Sequence, residues 1–235
     1  MRRIISAAAG LWLGLVGTVL AQSAGDNPVV VELYTSQGCS SCPPADKILG
    51  ELAARDDVIA LGLHVDYWDY IGWKDIFANR QYSDRQRAYA LHAGARTVYT
   101  PQMIVAGMDH LVGSRPAELD QLIRRHTARK GVVKLDIGRT GNRLKVRART
   151  VTPLSRKAVV QVVRYLPERK VEIGRGENAG RTLTYSNIVT DWTRVAEWDG
   201  KSDLSLDLSA SGSEPVVVII QEDGPGPVLA AGRLR

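Results

Sequence analysis

The sequence predicts an α/β chain in two parts, a mixed domain over residues 27–130 and an antiparallel β-sandwich domain over residues 131–235. Three observations predict it. An apolar run at residues 29–34 passes through a polar turn into the chain's only cysteines, Cys39 and Cys42, and then into an amphipathic helix. Apolar runs and helix-forming segments then alternate as far as Lys130. From Val132 the pattern changes to a period of two, and short strand-like segments follow one another to the end.

The 235 residues leave room for one large or two modest domains. Hydrophobic content of 44% and charged content of 24% are ordinary for a soluble globular protein. Arg2 and Arg3 precede an apolar stretch at residues 4–20, and Val19-Leu20-Ala21 suits cleavage after Ala21. Residues 1–21 thus have the form of a secretory signal. The rival is a retained anchor, because the run approaches the length of a membrane span. The mature chain is expected in the periplasm or outside the cell, where disulfides form and persist. No lasting membrane contact is expected after cleavage. The net charge of +6 falls to +4 without Arg2 and Arg3, and the basic residues are densest at 124–134 and 139–149. A solvated basic surface is the plain reading, and contact with anionic envelope lipid or polymer the sharper one. Nucleic acid is not an expected partner of an exported chain.

Residues 29–34 are continuous, apolar and β-branched, as in a strand buried on both faces. After the turn at residues 35–38, Ala45, Ile48, Leu49 and Leu52 form a helical stripe. Pro43 and Pro44 are tolerated only in a helix's first turn, so this helix either starts close to Cys42 or has a distorted first turn. A second strand is expected at residues 58–65, then the aromatic segment DYWDYIGW at 66–73. Residues 74–94 carry helix formers without proline, with Gly94 as the C-cap. Thr100-Pro101 leads into a strand at 102–105, a turn at Ala106-Gly107 and a closing strand at 111–113. Ser114 is a candidate N-cap for a helix over 116–130. Beyond it Leu144, Val146, Ala148 and Thr150 alternate with basic residues, and strands are expected at 158–166, 183–189, 193–198, 204–208, 215–221 and 228–233. RGENAGR at 175–181 reads as a Gly-rich turn flanked by β structure, the wrong setting for a phosphate loop.

The string VELYTSQGCSSC resembles the active-site strand of protein disulfide isomerase domains, with one extra residue before the first cysteine. GCSSCPPAD, HVDYWDYIGW and VYTPQMIV together resemble, over most of the mature chain, a secreted bacterial family catalogued as domain of unknown function 1223. The resemblance implies a thioredoxin-like domain and export. It implies a cis peptide before Pro101, facing the dithiol, with the Thr100 backbone free to pair with an extended substrate. It also implies that Glu32 lies beneath the dithiol, where desolvation would raise its pKa and let it relay a proton to the resolving cysteine. The rival for Glu32 is an edge position paired to a lysine.

Read from the residues, C-x-x-C is a redox dithiol, a static disulfide or part of a metal site. A closed zinc site needs four ligands, and the histidines stand singly at 64, 92, 110 and 126, so no metal or cofactor is implied. A static Cys39–Cys42 disulfide closes so short a loop that it removes little chain entropy. The redox reading fits the order strand, turn, helix, because a helix N-terminus stabilises a thiolate. Cys39, nearer the turn, is expected to be the exposed attacker and Cys42 to resolve the mixed disulfide. Tyr67, Trp68 and Trp73 could form an apolar wall for a partner polypeptide or pack the insertion. His64 reads as a core histidine. The expected function is thiol–disulfide exchange with a protein or small-molecule disulfide or thiol and an unidentified redox partner. Ser40-Ser41 sets no direction. The alternatives are an envelope binding module with a structural disulfide, or a copper-handling protein using Cys39, Cys42 and His64.

Overall fold

In the computed structural model, which describes residues 20–22 and 27–235, the first element is the short strand β1 (Leu20–Gln22). The secretory reading of residues 1–21 therefore falls almost wholly outside the described residues. The uninterrupted apolar runs become β2 (Val29–Thr35) and β3 (Val58–His64), paired in parallel with every residue buried. Helix α1 (Pro43–Ala53) joins them, with Cys42 at its N-cap and prolines in its first turn. After a 3₁₀ turn at Asp69–Ile71 comes α2 (Arg80–His92), then the hairpin β4 (Gln102–Val105) and β5 (Asp109–Val112), then α3 (Pro116–Thr127).

Helix α2 starts six residues later than the run of helix formers suggests. Asp75 is drawn inward to other partners, and the Asn79 side chain accepts the Gln81 N–H to cap the helix instead. The cap expected at Ser114 is not used: Arg115 occupies that position and makes no side-chain cap bond.

Seven strands follow: β6 (Val133–Thr140), β7 (Arg143–Thr150), β8 (Ala158–Glu172), β9 (Thr182–Trp198), β10 (Leu204–Ser209), β11 (Val216–Glu222) and β12 (Val228–Leu234). The two segments expected at 183–189 and 193–198 are one strand, β9, which absorbs irregular register against β8 at Val160/Gln161 and Arg164/Tyr165.

The fold is mixed α/β with one large, mostly antiparallel sheet and a second, smaller one. The large sheet runs β12-β11-β8-β9-β3-β2-β4-β5, so strands from both sides of residue 131 share it. The second runs β1-β6-β7-β10. Its Leu135, Ile137, Leu144 and Val146 pack on Val160, Val216, Val218 and Ile220. At the β2 end, Val31 and Leu33 face Ala45, Leu49 and Leu119, while Val30 and Tyr34 face Tyr82 and Tyr89 of α2. That alternation follows from the two-residue period of a strand. Among the described residues no helix is long and apolar enough to cross a membrane.

Candidate functional site

The polar turn after β2 carries the chain to the start of α1, and there Cys39 and Cys42 are joined in a disulfide with Cα atoms 5.4 Å apart. The Thr100–Pro101 bond is cis, and the segment lies beside this disulfide. Trp68 Nε1 donates to Thr100 Oγ1 at 2.7 Å, and the Thr100 hydroxyl in turn donates to Cys39 Sγ at 3.3 Å. Ser41 Oγ lies 3.4 Å from the same sulfur. Of the residues singled out in the sequence, Cys39, Cys42, Thr100, Pro101 and Trp68 are therefore brought together. Tyr67 is half-buried, its hydroxyl donating to Gln86, and burial pushes its phenol up to about 12.

Cys39 is not the exposed residue its sequence position suggests. It is 1% exposed and Cys42 is fully buried, while Ser40 and Ser41 face solvent. The reason is a cover from two directions. The Gly-rich turn at 175–181 is the tip of the long β8–β9 hairpin, and it reaches back over the cysteine turn. Asn178 Nδ2 donates to the backbone carbonyls of Gln37 at 2.9 Å and Cys39 at 3.0 Å, and the Arg181 guanidinium donates to Asn178 Oδ1 at 2.7 Å. Glu177 accepts the Ser40 N–H at 3.3 Å. From the other side, Trp73 Nε1 donates to Gln37 Oε1 at 2.8 Å. Gly176, at φ +78°, sits against the Trp73 Cβ, a conformation and a spacing that favour glycine. A side chain at Gly38 would come within 3.1 Å of Ile71.

Behind the disulfide, on the α1 face of the sheet, lies a buried polar group of residues. His64 Nδ1 is 2.7 Å from Asp75 Oδ2, which also accepts the Gln37 N–H at 2.8 Å. The His64 ring meets Tyr185 edge-on at 4.9 Å. Asp46, on α1, is 5% exposed. Burial pushes its carboxyl from the ordinary 3.8 up to about 7, against the pull of His64. The Thr35 hydroxyl is near enough to oppose the rise but not in hydrogen-bonding geometry. Among the described residues the buried side-chain atoms without a hydrogen-bond partner are Thr35 Oγ1, Gln37 Nε2, Asp46 Oδ2 and Tyr185 Oη. Thr35, Gln37 and Asp46 flank the disulfide in the chain, and Tyr185 meets the His64 ring edge-on.

Glu32 is not part of this group. It points to the α2 face, away from α1, because Val31 and Leu33 on either side of it face α1. There Arg85 grips it through two bonds of 2.8 Å, and the Tyr34 and Tyr89 hydroxyls donate to it at 2.8 Å. Burial and then the Glu32 charge hold the Tyr34 phenol well above its ordinary value, which keeps it a neutral donor. The expectation of Glu32 beneath the dithiol is thus corrected by strand parity, and its partner is an arginine and not a lysine.

Sequence reasoning missed Asp46, Asp75, Asn178 and Arg85. Asp46 carried a signal, since it stands four residues after Cys42 on the helix. Asn178 carried none, being 139 residues from Cys39. Among the described residues no group of three or more His, Cys, Asp or Glu is arranged to hold a metal ion.

The chain is similar to a protein of Agrobacterium tumefaciens whose X-ray structure is solved, at 32% identity and TM-score 0.76, over 89% of this chain and 94% of that one. HBP35 of Porphyromonas gingivalis shares the fold at TM-score 0.58, with 12% identity over 91% of this chain and 76% of that one. Among curated proteins none matches. A family model matches residues 30–221, and the chain belongs to that family, described as protein of unknown function (DUF1223).

Proposed function

We propose that this protein performs thiol–disulfide exchange through Cys39 and Cys42, in the periplasm or outside the cell. Residues 27–130 would form the thioredoxin-like part and residues 131–235 a β-sandwich part. The observation that carries the reading is the chain of donors ending on one sulfur, from Trp68 to Thr100 to Cys39. In a static disulfide a sulfur has no need of an aligned donor. In a dithiol the same hydroxyl stabilises the Cys39 thiolate, and the thiolate is the nucleophile.

In the reduced protein the Cys39 thiolate attacks one sulfur of a disulfide, forming a mixed disulfide and expelling the other sulfur as a thiolate. Cys42, as thiolate, then attacks Cys39 Sγ, closes the Cys39–Cys42 bond and releases the second thiolate. Two electrons pass from the dithiol to the substrate, and the reverse sequence oxidises a dithiol. Either direction requires the hairpin tip to move off Cys39.

Equilibration with glutathione buffers tests this. The expected reduction potential lies above about −300 mV, in the range of exchangeable pairs. The reduced Cys39 should react with iodoacetamide faster at neutral pH than a free thiol. A lower potential and an unreactive Cys39 would overturn the reading. They would leave a binding module with a structural disulfide, the alternative favoured by the 1% exposure of Cys39.

A further inference from the structure

We infer that Asp46 is the internal proton acceptor for Cys42, a role that rests on the thiol–disulfide reading above. Cys42 caps α1 in helical conformation, and the Asp46 N–H bonds its carbonyl at 3.1 Å. Residues four apart on a helix lie on one face, with Cβ atoms about 5–6 Å apart. Both side chains are buried, so the Cys42 thiol has no bulk water to take its proton. Asp46 Oδ2 lacks a hydrogen-bond partner, although the group is more than nine-tenths buried. A buried polar atom of this kind is costly, and a functional role is one reason for a fold to keep it.

The surroundings fit a proton store. Thr35 from β2, His64 from β3, Asp75 from the segment before α2 and Tyr185 from β9 are the polar groups around Asp46. Burial raises the carboxyl, His64 and Thr35 lower it, and Asp75 raises it. The result is an acid that changes charge near neutrality, where a proton acceptor works best. In the resolving step Asp46 takes the Cys42 proton, the Cys42 thiolate attacks Cys39 Sγ, and the bond from Cys39 to the substrate sulfur breaks. Asp46 then holds one proton and the departing thiolate holds the electron pair. In the opposite direction Asp46 returns the proton to Cys42. The strand carboxylate Glu32 cannot serve, because it faces the other side of the sheet and is bound to Arg85.

The test uses the full mature chain and oxidised glutathione as the disulfide. The first step is read alone in Cys42→Ser, as the rate of adduct formation on Cys39. The second is read as glutathione release from the Cys39 mixed disulfide. Asp46→Asn should slow release at pH 7 by about 100-fold, the low end of what a positioned acid–base group contributes. It should remove the inflection near pH 7 from the pH–rate profile and leave adduct formation unchanged. His64→Gln, which keeps the carboxylate and removes the group opposing its rise, should move that inflection upward. Unchanged release in Asp46→Asn, with the inflection kept, overturns the role of Asp46 and spares the exchange reading. If the wild type forms no adduct with oxidised glutathione, the exchange reading itself fails and takes this inference with it.

Discussion

Two carboxylates are buried on opposite faces of the same sheet, and their surroundings differ in kind. Glu32 is fully enclosed and fully answered: a guanidinium grips it through two nitrogens and two phenols donate to it. Asp46 is almost as enclosed and left with an unpartnered oxygen. A buried charge is tolerable when paired and is driven toward neutrality when it is not. One carboxylate therefore ties α2 to β2, and through Arg85 to Gln161 and Gln221 of β8 and β11. The other stays poised to change charge one helical turn from a cysteine. On the proposed reading, stability rests on one face of the sheet and chemistry on the other.

The largest effect is expected from breaking the answered pair. Arg85→Met would leave Glu32 buried without its cation and should cost about 3–5 kcal/mol, read as a fall in the urea midpoint. The double variant Arg85→Met with Glu32→Gln should recover much of the loss. If it does not, the arginine contributes mainly by packing over Trp192, 3.9 Å from that ring.

Asp46→Asn should act in the opposite direction. Below pH 3.8 the carboxyl is protonated whether the chain is folded or unfolded. Between 3.8 and about 7 the unfolded chain ionises while the folded one does not, so wild-type stability is lost as pH rises through that window. A rise of that size corresponds to about 4 kcal/mol. The stability difference between Asp46→Asn and wild type should therefore grow in the variant's favour from pH 4 to pH 7 and level off above. A flat difference would mean that Asp46 is paired after all.

The cover over Cys39 comes next. Asn178→Ala should cost about 1–3 kcal/mol, because it removes a donor from the Gln37 and Cys39 carbonyls, of which Cys39 keeps the Cys42 N–H at 3.2 Å. It should also speed reduction of the disulfide by dithiothreitol, because the hairpin tip loses its hold on the cysteine turn. Smaller still is the donor chain. Thr100→Val should slow iodoacetamide attack on reduced Cys39 at pH 7 by about tenfold, consistent with losing one hydrogen bond to a charged sulfur. The deficit should close at higher pH, where the thiolate forms unaided.

Much of this was legible in the sequence where the signal was local. The apolar runs of β2 and β3, the helical stripe of α1, the cysteine spacing and the change of period at Val132 each follow from neighbours in the chain. What was not legible depended on distant parts meeting. Nothing in RGENAGR says that its asparagine will close over Cys39, because hairpin length and sheet order decide that. The late start of α2 follows from Asp75 finding His64 and Gln37, a tertiary demand that outweighs helix propensity. Glu32 was misplaced for a simpler reason. Strand parity decides which face a residue takes, and similarity of a short motif does not fix that parity.

The measurement closest to the centre of this account is the titration of Asp46 itself. Carboxyl carbon NMR of the oxidised protein, with Asp46→Asn to assign the resonance, should show Asp46 titrating at about 7. The resonance should also move when the disulfide is reduced, since the new Cys42 thiol shares its helix face. An Asp46 that titrates near the ordinary aspartate value of about 3.9, and does not respond to reduction, would contradict it.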